Sequence, residues 1–123
     1  MKVLLIEDEK LYRTVLSKRL RKRGLDVRGA GTAEEGLEAL ERDPVDVVVL
    51  DVKMPGLSGV EALEEIKARF DGVEVVMLTG FADATTAVQV LDRGAFAYLM
   101  KPVQIDDLVA ELEEACANNG GSP

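Results

Sequence analysis

Short apolar runs, each too brief for a helix and each followed by a helical pattern, constrain this chain more than anything else in it. Val47-Val48-Val49-Leu50 lies inside VDVVVLD (45–51), and β-rich runs recur at KVLLIE (2–7), VEVVML (73–78) and AYLM (97–100), with a weaker one at DVRGA (26–30). Runs this uniformly apolar suit strands covered on both faces, not strands with one wet face. Helical periodicity fills the intervals. The first helix spans about Lys10 to Arg23 and buries Val15, Leu16 and Leu20. Thr32-Ala33-Glu34-Glu35 is a capping-box sequence leading into Leu37 and Leu40. Ser58 starts a third helix carrying Leu63, Ile66 and Phe70. Asp83 caps a fourth, with Ala84, Ala87, Val88 and Leu91 at helical spacing and Gly94 closing it. Ile105, Leu108, Val109 and Leu112 mark a fifth, ending in the Cys116 region. The pattern is strand-helix repeated five times, which predicts an α/β doubly wound parallel sheet.

At 123 residues the chain fits one domain with a single good core. No apolar run approaches the roughly 18 residues of a membrane span, and Glu7 and Asp8 cut off the short apolar start before it reaches signal-peptide length. Cys116 is the single cysteine, so no internal disulfide can form, and a cytoplasmic location is the default expectation. A net charge of −8 repels nucleic acid and anionic membrane. The basic run KRLRKRG (18–24) reads as a solvated helix face and last turn, where cations suit the helix dipole. Histidine is absent, which excludes histidine bases, histidine metal ligands and a phosphohistidine carried by this chain. Residues 118–123, NNGGSP, read as a flexible tail or the start of a linker after a domain of residues 1–117.

In an open parallel sheet, ligands bind beyond the carboxyl ends of the strands. Glu7-Asp8-Glu9 follow the first strand, Asp51 ends the third, Thr79-Gly80 follow the fourth and Lys101-Pro102 follow the fifth. Each alone has an ordinary role as cap, turn residue, loop hydroxyl or surface lysine, but all four falling at strand ends points to one cleft. Three carboxylates repel one another in a partly dry site, and one lysine cannot balance them. A hard divalent cation can, and Mg²⁺ takes a few carboxylate or carbonyl oxygens while keeping waters. An aspartate beside such a cation and an ammonium can act as nucleophile toward a phosphoryl group. Thr79 and Lys101 could then hold the phosphoryl oxygens.

LLIEDEK, VDVVVLDVKMPGLSG, VVMLTG and GAFAYLMKP resemble the receiver domain of bacterial two-component response regulators, from about Lys2 to Ala117. The resemblance implies a flavodoxin-like sheet of five strands in the order 2-1-3-4-5. It implies that Asp51 is the phosphoacceptor, that Asp8, Asp51 and the Lys53 carbonyl bind Mg²⁺ or Mn²⁺, and that Glu7 assists through water. Thr79, Gly80 and Lys101 would contact the phosphoryl group, and Thr79 and Tyr98 would form the switch. Lys53 and Phe81 would tune dephosphorylation, and the Lys101–Pro102 peptide would be cis, against a general X-Pro frequency of about 5–6%.

The implied partners are a sensor histidine kinase or phosphotransfer protein and a downstream output domain or protein, with a phosphorylation-dependent homodimer allowed. No direct contact with nucleic acid or membrane is implied, and no enzymatic activity beyond self-phosphorylation from a phosphodonor and slow autodephosphorylation. Position 7 is Glu where the family often has Asp, and GAFAYL lacks the paired acids of one DNA-binding subfamily, which weakens that subfamily's dimer mode here. A haloacid-dehalogenase-type phosphatase would need a second acid two residues after its nucleophile, where Lys53 stands. A flavodoxin-like electron carrier would need a first loop that welcomes a phosphate, which Glu7-Asp8-Glu9 would repel. A receiver that signals without phosphate would not need the full set of acids, Thr79 and Lys101.

Overall fold

The computed structural model describes residues 1–52, 58–80 and 84–120. Five strands, β1 (Lys2–Ile6), β2 (Asp26–Ala30), β3 (Val47–Asp51), β4 (Glu74–Thr79) and β5 (Ala97–Met100), alternate with five helices. The helices are α1 (Lys10–Lys22), α2 (Ala33–Arg42), α3 (Gly59–Arg69), α4 (Ala84–Asp92) and α5 (Ile105–Gly120). The strands form one parallel sheet in the order β2-β1-β3-β4-β5. This is the doubly wound, flavodoxin-like arrangement that the resemblance implies.

The apolar runs are explained by what covers them. Along β3 alternate side chains enter opposite layers: Val48 and Leu50 pack with Leu40, Leu63, Ile66 and Val90 from α2, α3 and α4, whereas Val47 and Val49 pack with Leu16, Leu20, Leu108 and Leu112 from α1 and α5. All five β3 residues are buried, so neither face could be polar without loss. Burying one such side chain contributes about 1.5–3 kcal/mol.

The helix starts follow local chemistry. Ser58 Oγ accepts from the Glu61 N–H at 3.2 Å and Glu61 Oε1 accepts from the Ser58 N–H at 3.2 Å, a complete capping box. At α2 the box is only half made. Thr32 Oγ1 accepts from the Glu35 N–H, but the Glu35 carboxylate accepts from Gly31 instead of Thr32. Gly94, at φ 103, follows α4 as expected.

Three expectations change. Val15 is not buried: it is 41% exposed beside the 78% exposed Leu11, while Leu16, Ser17 and Leu20 face the sheet. Leu16 and Leu20 are four residues apart and set the inward stripe, which leaves Val15 about 100° off it. In α4 the stripe through Val88 and Leu91 faces outward, at 59% and 47% exposed, and Val90 is the buried residue. Two apolar stripes compete there, and burial of Val90 against the α2–α3 layer decides the rotation. Finally, α5 continues to Gly120 instead of ending in the Cys116 region, and Asn118 Nδ2 donates to Glu74 Oε2 at 2.7 Å. The Asp83 cap lies outside the described residues.

Candidate functional site

The carboxyl ends of β1, β3, β4 and β5 converge, as the topology requires. Asp51 is the last residue of β3 and Thr79 the last of β4, so both are delivered by buried strands and are themselves buried. Glu7 follows β1 directly and is only 1% exposed. Asp8 and Glu9 turn outward to solvent. Glu9 occupies the N-cap position of α1 but its side chain makes no capping bond. The acidic triplet therefore does more than start a helix.

One ammonium joins the acids. Lys101 Nζ donates to Glu7 Oε1 at 2.5 Å and to Asp51 Oδ2 at 3.3 Å. Its backbone N–H donates to the Thr79 carbonyl at 2.7 Å, which continues the β4–β5 pairing one step past the strand. The Lys101–Pro102 peptide is cis. Gly80 lies beside the lysine, since a Cβ there would stand 4.0 Å from Lys101 Cδ. Tyr98 lies in β5 opposite Met77 and packs, half-buried, against the α2–α3–α4 layer. Lys53 and Phe81 lie outside the described residues.

The electrostatics follow from this enclosure. Burial pushes the Glu7 carboxyl up to about 6, against the downward pull of the Lys101 bond and of the Glu9 N–H, which donates to Oε2 at 3.1 Å. The Asp51 charge adds to the rise. Burial alone would lower the Lys101 ammonium, but the Glu7 hydrogen bond and the Asp51 charge outweigh it and hold the group above its ordinary range. At neutral pH the pair is ionic. The site still carries more acid than base, because Glu7, Asp8 and Asp51 each offer an oxygen within 4.8 Å of the others. Such a cluster fits one hard cation that takes part of its shell directly and part through water.

Two residues at this site were not singled out from the sequence. The Tyr12 ring lies under the ammonium, with Lys101 Nζ 4.5 Å from its centroid. Burial is the main cause raising the Tyr12 phenol above its ordinary range. Arg13 Nη1 donates to the Glu7 carbonyl at 2.6 Å. Both sit in the opening turns of α1, just after the acidic loop. That placement was the available signal, but an aromatic and a basic residue at a helix start have no distinctive spacing.

Comparison with known proteins agrees with this geometry. The response regulator receiver domain family matches residues 3–113. The chain is 39% identical over 115 residues to the transcriptional regulatory protein PdtaR of Mycobacterium tuberculosis, covering 93% of this chain and 56% of that protein. It is 35% identical over 116 residues to the transcriptional regulatory protein ZraR of Escherichia coli, covering 94% of this chain and 26% of that one. The chain thus spans a quarter to a little over half the length of these relatives. A receiver domain protein crystal structure from Clostridium thermocellum superposes with a TM-score of 0.91 at 36% identity, covering 97% of this chain and 96% of that one. A CheY-like receiver domain protein from Methanospirillum hungatei gives 0.93 at 30% identity, covering 99% and 98%. With a buried acid at the end of β3, an acidic loop after β1 and a lysine after β5 in one cleft, this chain belongs to the response regulator receiver domain family.

Proposed function

We propose that the chain is a phosphorylation-activated signalling switch, with Asp51 the phosphoacceptor and a sensor histidine kinase or phosphotransfer protein the donor. An Asp51 oxygen forms a bond to phosphorus as the donor's P–N bond breaks, and the leaving imidazole keeps that electron pair and takes up a proton. Glu7 and Asp8 with Asp51 would hold Mg²⁺ or Mn²⁺, which when bound supplies charge to neutralise the phosphoryl oxygens. Lys101 shares that work from the other side, and Thr79 and Gly80 receive the remaining oxygens. The observation that carries the reading is the single ammonium held between buried Glu7 and Asp51 beside a third carboxylate.

The output would be a change at the face formed by α4, β5 and α5, with Thr79 drawn toward the phosphoryl group and Tyr98 turning inward. The exposed Val88, Leu91 and Met100 give that face apolar surface for a downstream domain, partner protein or second copy of the chain. We place the receiver unit at about residues 1–117, with α5 running on to Gly120. A cytoplasmic setting accords with the described residues, where no helix is long and apolar enough to cross a membrane.

The test is intact-mass measurement after incubation with a small phosphodonor. The parent should gain one phosphoryl group only when Mg²⁺ or Mn²⁺ is present. Asp51→Asn should gain none, whereas Asp46→Asn should label like the parent, because Asp46 sits at the far end of the sheet and accepts from the Lys2 N–H at 2.8 Å. Labelling that survives Asp51→Asn refutes the assignment.

A further inference from the structure

Arg13 is half-buried on α1, and the phosphoryl chemistry above makes no use of it. Its guanidinium bonds the Glu7 carbonyl, and its arm crosses the end of β2, where Gly29 in the strand and Gly31 just beyond it leave room. A Cβ at Gly29 would stand 3.1 Å from Arg13 Cδ and 3.2 Å from Cγ, and one at Gly31 would stand 3.0 Å from Nη1. The slot exists because both positions lack a side chain.

The contact sits where the chain leaves the sheet. The Glu7 N–H still belongs to the ladder, donating to the Ala30 carbonyl at 2.9 Å. Its carbonyl points out of the ladder and is met by Arg13, while its carboxylate is held by Lys101 and the Glu9 N–H. The carbonyl bond fixes the plane of the Glu7–Asp8 peptide. Asp8 hangs from that peptide and is solvent-exposed.

We propose that Arg13 is a positioning residue for the cation site: by clamping the Glu7 carbonyl in the Gly29–Gly31 slot, it fixes the direction in which Asp8 presents its carboxylate beside Glu7 and Asp51. This rests on the cation-dependent reading of the site. A purely structural role has a comparison within the same fold. Arg21, two turns along α1, donates through Nε and Nη2 to the Val27 carbonyl at 3.2 and 2.7 Å, the same kind of helix-to-strand tie remote from the acids.

The experiment is calorimetric titration of Mg²⁺ into the unphosphorylated protein, with amide signals of residues 7–9 recorded before metal is added. Arg13→Met should bind Mg²⁺ about ten-fold more weakly than the parent, the scale expected when a group orienting a metal ligand is lost. Its Asp8 amide signal should move even without metal. Arg13→Lys, which keeps the charge and a single donor nitrogen, should recover part of the affinity. Arg21→Met should bind as the parent does. Parent-like affinity in Arg13→Met, or an equal loss in Arg21→Met, overturns the proposal. Should Arg13→Met fail to fold, Gly31→Ala, whose Cβ would stand 3.0 Å from Nη1 and press it aside by a few tenths of an ångström, decides in its place: an affinity and an Asp8 amide signal both unchanged there also overturn it. A parent that binds no Mg²⁺ removes the cation reading itself, and this proposal with it.

Discussion

Replacing Gly59 with alanine tests how closely the start of α3 must approach the end of β3. Gly59 is the first residue of α3, and its N–H donates to the Val52 carbonyl at 2.9 Å. A Cβ there would lie 2.5 Å from Val52 Cα, 2.6 Å from the Asp51 carbonyl oxygen and 2.6 Å from the Val52 carbonyl oxygen. Ordinary contact for such atoms begins near 3.5 Å, so the helix start and the strand end must separate by about 1 Å. All three atoms are backbone, so no rotamer change can relieve the clash. Overpacking of this kind costs about 3 kcal/mol at the upper end of its usual range. The better helix propensity of alanine returns at most about 1 kcal/mol. The net loss is about 2 kcal/mol, a fall in Tm of roughly 6–10 °C for a chain of this size. Gly72→Ala is the control, because no atom lies within 4 Å of the added Cβ. Urea unfolding of the parent and both variants gives the comparison, with the m-value unchanged if the denatured state is unaffected. Phosphodonor labelling of Gly59→Ala should also slow, since the displaced carbonyl belongs to Asp51. A Gly59→Ala protein within about 0.5 kcal/mol of Gly72→Ala would refute the reasoning.

Three further outcomes are expected. Glu7 is raised in the folded chain from the usual 4.5 to about 6, so the native state holds a proton that the unfolded state has released. This contribution is complete below about pH 4.5 and is lost as pH rises through 6, about 2 kcal/mol in all. Metal-free Glu7→Gln should show a flatter stability profile across that window, and an identical slope by urea unfolding at pH 4.5, 5.5 and 6.5 would contradict it. Thr79→Ala and Lys101→Ala should still accept phosphate slowly but lose the amide-signal response over residues 84–105, where coupling is typically ~1–3 kcal/mol. A full response in Thr79→Ala would sink the switch. Phe81→Ala and Lys53→Ala should change the lifetime of the phosphorylated protein measured by mass, and unchanged lifetimes in both would count against their tuning role.

The strands and the strand-end acids could be read from the chain because each is fixed locally. Val47 to Leu50 could only be a doubly covered strand, and Asp51, closing that run, could only emerge at one end of it. Side-chain pairings between elements were harder to read. No spacing rule links Lys101 to Glu7 across 94 residues of sequence, and placing both at strand ends predicts a neighbourhood rather than a bond. Helix rotation was the other gap. Leu11 and Val15, and Val88 and Leu91, form apolar stripes as regular as the buried ones, and only the shape of the opposing layer excludes them from the core. Arg13 was invisible for a related reason, since its value lies in Gly29 on β2 and Gly31 just beyond it, which carry no side chain to notice.

The position of β5 has its own consequence. As the outermost strand it is laddered, among the described residues, to β4 alone, and the backbone bond from Lys101 to Thr79 is the final rung. Thr79 and Lys101 are therefore linked through the main chain as well as by facing one cleft. A sideways displacement of this four-residue strip would carry Tyr98, Met100 and Lys101 together, as beads on one thread fastened along a single seam. Truncating the threonine hydroxyl leaves that seam sewn, whereas loosening the rung would unfasten the lysine from the sheet with its charge and length intact.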